Sequence, residues 1–165
     1  MWMRGACALL ILASLVAAAA LAVGSSSTGA SNGGMDAMSI DLNTSGNTAT
    51  TLGPLDSCRE VQPGQTVTLD VTATNIPASN PMTGFAYHIL YDDSGLTIET
   101  QDHQFLLAAT PGSGLLNVSE PTPDEDGSND WRSGLADLSS TAAESGSGTL
   151  SRLTLSVATA TPSGS

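Results

Sequence analysis

The stretch TVTLDVTATNIPASNPMTGFAYHILYDDSGLTIET, from Thr66 to Thr100, carries the longest strand pattern in this sequence. In its first part, apolar residues alternate with polar residues at every second position. That period places one face of a strand on a core and the other face in water. The apolar positions are Val67, Leu69, Val71 and Ala73. The first part therefore predicts a half-buried β-strand.

The second part, from Gly84 to Tyr91, predicts a central strand because both of its faces are largely apolar. The alternating faces carry Phe85, Tyr87, Ile89 and Tyr91 on one side and Ala86, His88 and Leu90 on the other. The tetrapeptide DDSG at 92–95 supplies turn chemistry, since Asp and Ser bond to nearby backbone and Gly accepts positive φ. A further strand pattern begins at Leu96, so we expect a hairpin here.

The composition excludes several classes of function. The 165 residues fit one domain, and they contain 16 acidic residues against 4 basic ones, all of which are Arg. With a formal net charge of −12, the chain is repelled by phosphate backbones and by anionic lipid headgroups, whose binding depends on Lys and Arg clusters. We therefore expect no nucleic-acid binding and no membrane contact beyond the N-terminal segment.

The N-terminus has the pattern of an export signal. Met1 to Arg4 carries one positive charge, an apolar run covers Ala6 to Val23, and small residues follow it. This pattern predicts a signal peptide and cleavage region at 1–30, a flexible linker at 31–37 and a folded domain at 38–165. A retained membrane anchor is the alternative, because about 18 apolar residues can span a bilayer. We favour cleavage, since Ala is weakly lipophilic, and hence a secreted or cell-surface protein.

The two cysteines, Cys7 and Cys58, lie on opposite sides of the predicted cleavage region. Removal of the signal leaves Cys58 alone, so that no disulfide can form within the mature chain. We expect Cys58 to be a buried thiol; the alternative is a bond to a cysteine outside this chain.

Short strand patterns separated by Gly and Pro continue along the chain. Leu153, Leu155 and Val157 alternate with polar residues, and Leu150 falls out of phase with them, which predicts a bulge. The other candidate segments are a strand at 38–42, a loop at 44–51, an ambiguous strand at 57–61, a helix or buried extended segment at 102–109, and strands at 115–118 and 131–138. Many short strands with little helical pattern predict an all-β protein, a β-sandwich of jelly-roll type.

Three of these segments carry a resemblance to a known family. They read VQPGQTVTLDVT from Val61, with NIP from Asn75; GFAYHILYD from Gly84; and GTLSRLTL from Gly148. Across roughly residues 38–158 the chain resembles a bacterial cohesin domain, in particular the divergent cohesin-like modules of exported bacterial proteins. The resemblance implies a jelly-roll sandwich related to carbohydrate-binding-module families 2 and 3. It also implies a module without catalytic activity, in a family whose best-known members bind dockerin modules in cellulosomes.

The chain departs from the cohesin pattern at two places. In that family a further strand follows the one at 150–157 and pairs near the first strand, whereas this sequence ends at Ser165. Either the sequence is a fragment, or the sandwich has an open edge that something else covers. The insertion at 121–130 also alters the region near the dockerin-facing surface, so that no binding residues are carried over from the family.

An acidic loop contains the one candidate metal site. Asp124, Asp126 and Asp130, with Gly127 allowing a sharp turn, offer the oxygen ligands that Ca²⁺ prefers. The match to the loop pattern D-x-[DN]-x-[DN]-G is incomplete, because position 128 is Ser and the Gly comes early. The alternative is a solvated acidic loop without calcium.

Neither catalysis nor a glycan-binding aromatic strip has strong support. His88 and His103 have no ligand partners at metal-binding spacing, and no G-x-S-x-G motif is present. Trp131 is the one candidate platform for a sugar ring, and a buried core anchor is its alternative role. We therefore expect no enzyme. The leading hypothesis is a cohesin-like module that binds a dockerin-type protein; the others are a polysaccharide-binding module and a structural surface or adhesion domain.

Overall fold

The computed structural model describes residues 37–139 and 142–159. The expectations for the signal peptide, the membrane anchor and most of the linker lie outside these residues. Within the described part, no helix has the length and apolar character needed to cross a bilayer.

Seven β-strands and one short 3₁₀ helix form the described part of the chain. The strands are β1 Ala37–Asp41, β2 Thr66–Ile76, β3 Gly84–Leu90, β4 Leu96–Asp102, β5 Leu115–Asn117, β6 Asp130–Asp137 and β7 Gly146–Val157, and the helix is Leu106–Ala108. They build a four-stranded sheet in the order β1-β2-β7-β4 and a three-stranded sheet in the order β3-β6-β5. All pairings are antiparallel. The expected all-β sandwich is confirmed.

The core lies between the two sheets. Leu69 of β2 faces Leu153 of β7 in the ladder, and both are completely buried. From the other sheet, Trp131 of β6 is also completely buried. Large apolar side chains removed from water in this way contribute about 1.5–3 kcal/mol each to folding.

The inward face of β3 is as the alternation predicts. Ile89 is buried, and Phe85 and Tyr87 are half-buried against the core. The two rings stack with centroids 5.8 Å apart. The Tyr87 hydroxyl hydrogen-bonds the Ser151 hydroxyl of β7, which links the two sheets across the core.

The bulge expected at Leu150 is confirmed. The register between β2 and β7 shifts here, since Val71 pairs with Ser151 and Thr72 pairs with Thr149. The extra residue, Leu150, is completely buried. A bulge lets one more side chain reach the core without ending the strand.

Two expectations about the central stretch are wrong. β3 and β4 do not form a hairpin, because β3 pairs with β6 and β4 pairs with β7, so the turn at 92–95 passes from one sheet to the other. β3 is also an edge strand rather than a central one. Its residues Ala86, His88 and Leu90 are exposed, although two of them are apolar.

Three smaller expectations are resolved in the loops. No strand forms at 57–61, and the segment 102–109 contains only the short 3₁₀ helix after the end of β4. Cys58 is exposed, so the expectation of a buried residue is wrong.

Candidate functional site

The outer face of the three-stranded sheet, on the side away from the core, is uncovered by any described residue and is here named the bare face. Alternation along β3 and β6 places every second residue of each strand on this face. The cross-strand register aligns these residues in rows. The bare face consists of Gly84, Ala86, His88, Leu90, Leu116, Val118, Glu120, Asp130, Arg132, Gly134 and Ala136. It contains three of the five large hydrophobic residues that are exposed in the described part, at 46–65% exposure: Leu90, Leu116 and Val118.

A glycine in β6 shapes the apolar half of the bare face. A Cβ atom at Gly134 would lie 2.7 Å from Cγ2 of Val118, so the Val118 side chain lies directly over the glycine. The Val118 backbone N–H donates to the Gly134 carbonyl, 2.9 Å, which fixes Val118 beside β6. Ala86 lies on the other side of the same glycine. Small residues beneath and beside Val118 make this half flat and apolar.

A charged strip lies across the other half of the bare face. The guanidinium of Arg132 lies 3.5 Å from a carboxylate oxygen of Asp130 and 3.8 Å from one of Glu120. The imidazole of His88 lies 3.7 Å from the same oxygen of Asp130. Exposed ion pairs of this kind add little stability, in the range of about 0–1 kcal/mol. An apolar patch beside charged groups is the composition that protein-binding surfaces use, with the charges setting orientation.

The outer face of the four-stranded sheet differs, because polar residues on it are buried. Asp70 alternates with the core residues of β2 and therefore points away from the core, yet its exposed fraction is 0%. Arg152 on β7 binds Asp70 through two hydrogen bonds of 2.7 and 2.9 Å. These bonds raise the pKa of Arg152 further above its ordinary value. The Arg152 guanidinium also lies 5.1 Å from the ring centroid of Phe105.

Residues 43–56, here named the covering segment, bury the Asp70 side of this ion pair, whereas the Arg152 side chain stays 31% exposed. The Asn47 amide donates to a carboxylate oxygen of Asp41, 2.8 Å, and to one of Asp70, 3.0 Å. The other oxygen of Asp41 accepts the backbone N–H groups of Asn43, 2.9 Å, and Asp56, 2.8 Å. Buried carboxylates are tolerated where every oxygen has a donor, as here. The expectation that the polar face of β2 lies in water is therefore wrong around Asp70.

The three candidate calcium ligands have separate partners. Asp124 accepts a hydrogen bond from the Tyr91 hydroxyl, and Asp126 accepts the backbone N–H of Ser128, 2.7 Å. Asp130 belongs to the charged strip of the bare face. Among residues 37–139 and 142–159, no group of three or more acidic, His or Cys side chains is arranged to hold a metal ion. The calcium site stays a prediction. If the protein has the same melting temperature with added calcium as with a chelator, the prediction is wrong.

Electrostatics in the acidic loop stabilise the neutral form of its tyrosine. Burial, the hydrogen bond to Asp124 and the nearby negative charges together raise the pKa of Tyr91. The Tyr91 hydroxyl therefore remains a donor at neutral pH and holds the loop against the end of β3. The Asp124 backbone N–H donates to the Ile98 carbonyl, 2.9 Å, which attaches the same loop to β4.

Trp131 and the two histidines do not form a site together. Trp131 is completely buried and donates from its indole N–H to the Pro121 carbonyl, 3.3 Å, so its ring offers no surface on which a sugar could stack. The structure gives it the alternative role, that of a core anchor. His88 lies on the bare face, whereas His103 is buried with its ring 6.0 Å from Phe85. Burial lowers the pKa of His103.

A polar cleft opens beyond the end of β4. It has a volume of about 380 Å³, and its lining includes Gln101, Asp102, Gln104 and Asn117. Amide and carboxylate side chains can form paired hydrogen bonds with hydroxyl-rich ligands. The sequence pattern did not predict this cleft, since its residues come from β4 and β5, which belong to different sheets.

The sequence also did not predict the bare face as a site. The apolar residues of β3 favour a buried strand by pattern alone. Leu116 and Val118 belong to no binding motif. The signal that was present is that both faces of β3 are apolar. This is typical either of a central strand or of an edge strand with one exposed apolar face.

A comparison of this chain with protein-family models, with curated proteins and with solved structures finds no match.

Proposed function

We propose that this chain is an exported, non-catalytic, cohesin-like module of jelly-roll type that docks a dockerin-type protein on its bare face. One observation carries the proposal: an apolar patch around Leu116 and Val118 adjoins the charged strip on a sheet face that no described residue covers. Exposed apolar patches that are bordered by polar residues are a feature of protein-interaction sites. The sequence resemblance to cohesin domains supports the choice of partner class.

The chemistry of the bare face fits a protein partner better than a polysaccharide strip. Sugars stack on exposed aromatic rings, and the bare face contains none. Aliphatic side chains with Arg132 at the rim suit the apolar core and polar border of a protein interface. The partner would present an apolar helix or strand face with acidic groups that approach Arg132.

The test is a binding measurement with a matched pair of variants. Dockerin-type modules are titrated against the wild type, Leu116→Asp and Leu55→Asp by calorimetry. Both leucines are exposed, and Leu55 lies in the covering segment on the other side of the molecule. We expect Leu116→Asp to weaken binding by about tenfold or more, because a charge enters an apolar contact, and Leu55→Asp to bind like the wild type.

Two outcomes would overturn this proposal. One is that no dockerin-type module binds the wild type at micromolar concentration. The other is that Leu116→Asp binds as tightly as Leu55→Asp, which would place the contact elsewhere.

Export is tested separately, by mass spectrometry of the N-terminus of the chain recovered outside the producing cell. Cleavage within 1–30 is the expected result.

The polar cleft favours polysaccharide binding as a second candidate function. Its amide and carboxylate groups are those that recognise hydroxyls, and its volume of about 380 Å³ suits one or two sugar units. In a pull-down with insoluble polysaccharides, this function predicts that Gln104→Ala loses binding while Leu116→Asp retains it. Retention by neither polysaccharide nor dockerin would leave the structural surface role as the remaining hypothesis.

A further inference from the structure

The edge of β3 differs from the other three sheet edges in the described part. β5 is only three residues long, and β4 has a register shift between Ile98 and Thr100. β1 ends in the buried carboxylate Asp41. Short length, irregularity and charge are the features by which edge strands avoid pairing with other chains. β3 has none of them: its seven residues pair with β6 without a shift and include no Pro, Lys or acidic residue.

Hydrogen bonds next to β3 show which backbone groups point to its free edge. The Asp137 N–H donates to the Thr83 carbonyl, 2.7 Å, and the Tyr91 N–H donates to the Asn129 carbonyl, 3.1 Å, so odd-numbered residues face β6. On the opposite side, Met82 exchanges two hydrogen bonds with Glu144, 2.7 and 2.9 Å. Backbone groups alternate along a strand, so the even-numbered residues of β3 direct their N–H and C=O groups to the free edge.

We propose that two copies of this chain pair antiparallel through their β3 edges, about a two-fold axis at Tyr87, and join their three-stranded sheets into one six-stranded sheet. In this register Ala86 lies opposite His88 of the second copy, and Gly84 lies opposite Leu90. Every even-numbered residue of β3 then exchanges hydrogen bonds with its counterpart. Pairing stops at Gly84 because Glu144 already occupies the edge at Met82.

A second copy fits this edge for two reasons beyond the backbone. Phe85 and Tyr87 stay half-buried at the edge of the core, and an added strand would bring Ile89 and Tyr87 of the other copy against them. The strand is also self-complementary, since a two-fold axis through its middle residue aligns it with itself, as an isologous interface requires. The bare faces of both copies remain open in this dimer, so docking and pairing use different surfaces.

The experiment is sedimentation velocity of the full chain over a concentration series, at low and high salt. We expect a reversible dimer that strengthens with added salt, because each copy carries a formal net charge of −12 and salt screens the repulsion. Ala86→Lys places like charges close together across the two-fold axis and should weaken the dimer by about tenfold or more. Ala78→Lys is the matched control, with an exposed alanine in a loop, and should dimerise like the wild type.

Amide hydrogen exchange tests the register without any variant. In the proposed dimer, the N–H groups of Ala86 and His88 become protected as the concentration rises, while those of Phe85 and Tyr87 are protected throughout by β6. A protein that stays monomeric at all concentrations would overturn the proposal. A dimer in which Ala86 and His88 exchange freely would also overturn it. Protection of both amides in a monomer would show that another strand occupies the edge, and the second copy would then be excluded.

Discussion

The two sheets of this sandwich differ in what lies on their outer faces. On the four-stranded sheet, the covering segment buries Asp70, the partner of Arg152, in a network of hydrogen bonds. On the three-stranded sheet, Arg132 makes similar ion pairs in the open, beside exposed Leu116 and Val118. The comparison shows that one outer face is closed by the chain's own covering segment, whereas the other is left exposed by the described residues.

The largest expected effect concerns the ion pair on the covered face. Asp70→Ala removes the acceptor of two hydrogen bonds from the Arg152 guanidinium and of one from the Asn47 amide, and we expect a loss of about 3 kcal/mol in the free energy of unfolding. The matched change on the bare face is Glu120→Ala, which removes an exposed partner of Arg132 and should cost about 0.5 kcal/mol. Urea unfolding of both variants measures the difference. Equal losses would show that the two faces are equally solvated.

Glycines beneath the two outer surfaces provide a second pair of variants. A methyl group at Gly148 would overlap the backbone carbonyl of Ala49 in the covering segment, whereas the closest atom to one at Gly134 would be Cγ2 of the exposed Val118 side chain, 2.7 Å away. We expect Gly148→Ala to cost about 2 kcal/mol and Gly134→Ala less than about 1 kcal/mol. Adding Val118→Ala to Gly134→Ala should restore stability, and thermal unfolding would show it. If Gly148→Ala lowered the free energy of unfolding by no more than Gly134→Ala, the covering segment would be only loosely attached to the sheet.

A smaller effect should appear in the pH dependence of stability. Burial lowers the pKa of His103, so the folded protein binds a proton there less readily than the unfolded chain. The resulting stability is fully present above the ordinary His pKa of about 6.5 and declines as the pH falls below it. Urea unfolding between neutral and mildly acidic pH should give a shallower decline for His103→Gln than for the wild type. The same difference should persist in a His88→Gln background; no difference would contradict the assignment to His103.

Local sequence pattern predicted the inward half of the molecule. The alternation of Val67, Leu69 and Val71, the buried Ile89 and the bulge at Leu150 all follow from side-chain period and are confirmed. These features depend on which residues of one strand share a face, and a strand carries that information in its own sequence.

The outward half could not be predicted in the same way, because it depends on contacts between distant segments. The alternation of residues around Asp70 in the sequence predicts a solvated side chain. It is buried because the covering segment brings Asn47 against it. Likewise, Ala86 and Leu90 led to the prediction of a central strand, since a pattern of apolar residues does not distinguish a face that the fold buries from one that it leaves exposed. The turn at 92–95 was predicted from its residues, but turn chemistry does not determine which sheet the next strand joins.

Hydroxyl-radical footprinting of the free protein at low concentration tests the central claim most directly, which is that the outer face of the three-stranded sheet is open to a partner. We expect Leu116 and Val118 to be modified at rates typical of exposed side chains, and Leu42, beside the covering segment, to be modified as slowly as the core leucines. Modification of Leu116 and Val118 at core-like rates would show that the face is already covered, and would contradict the account.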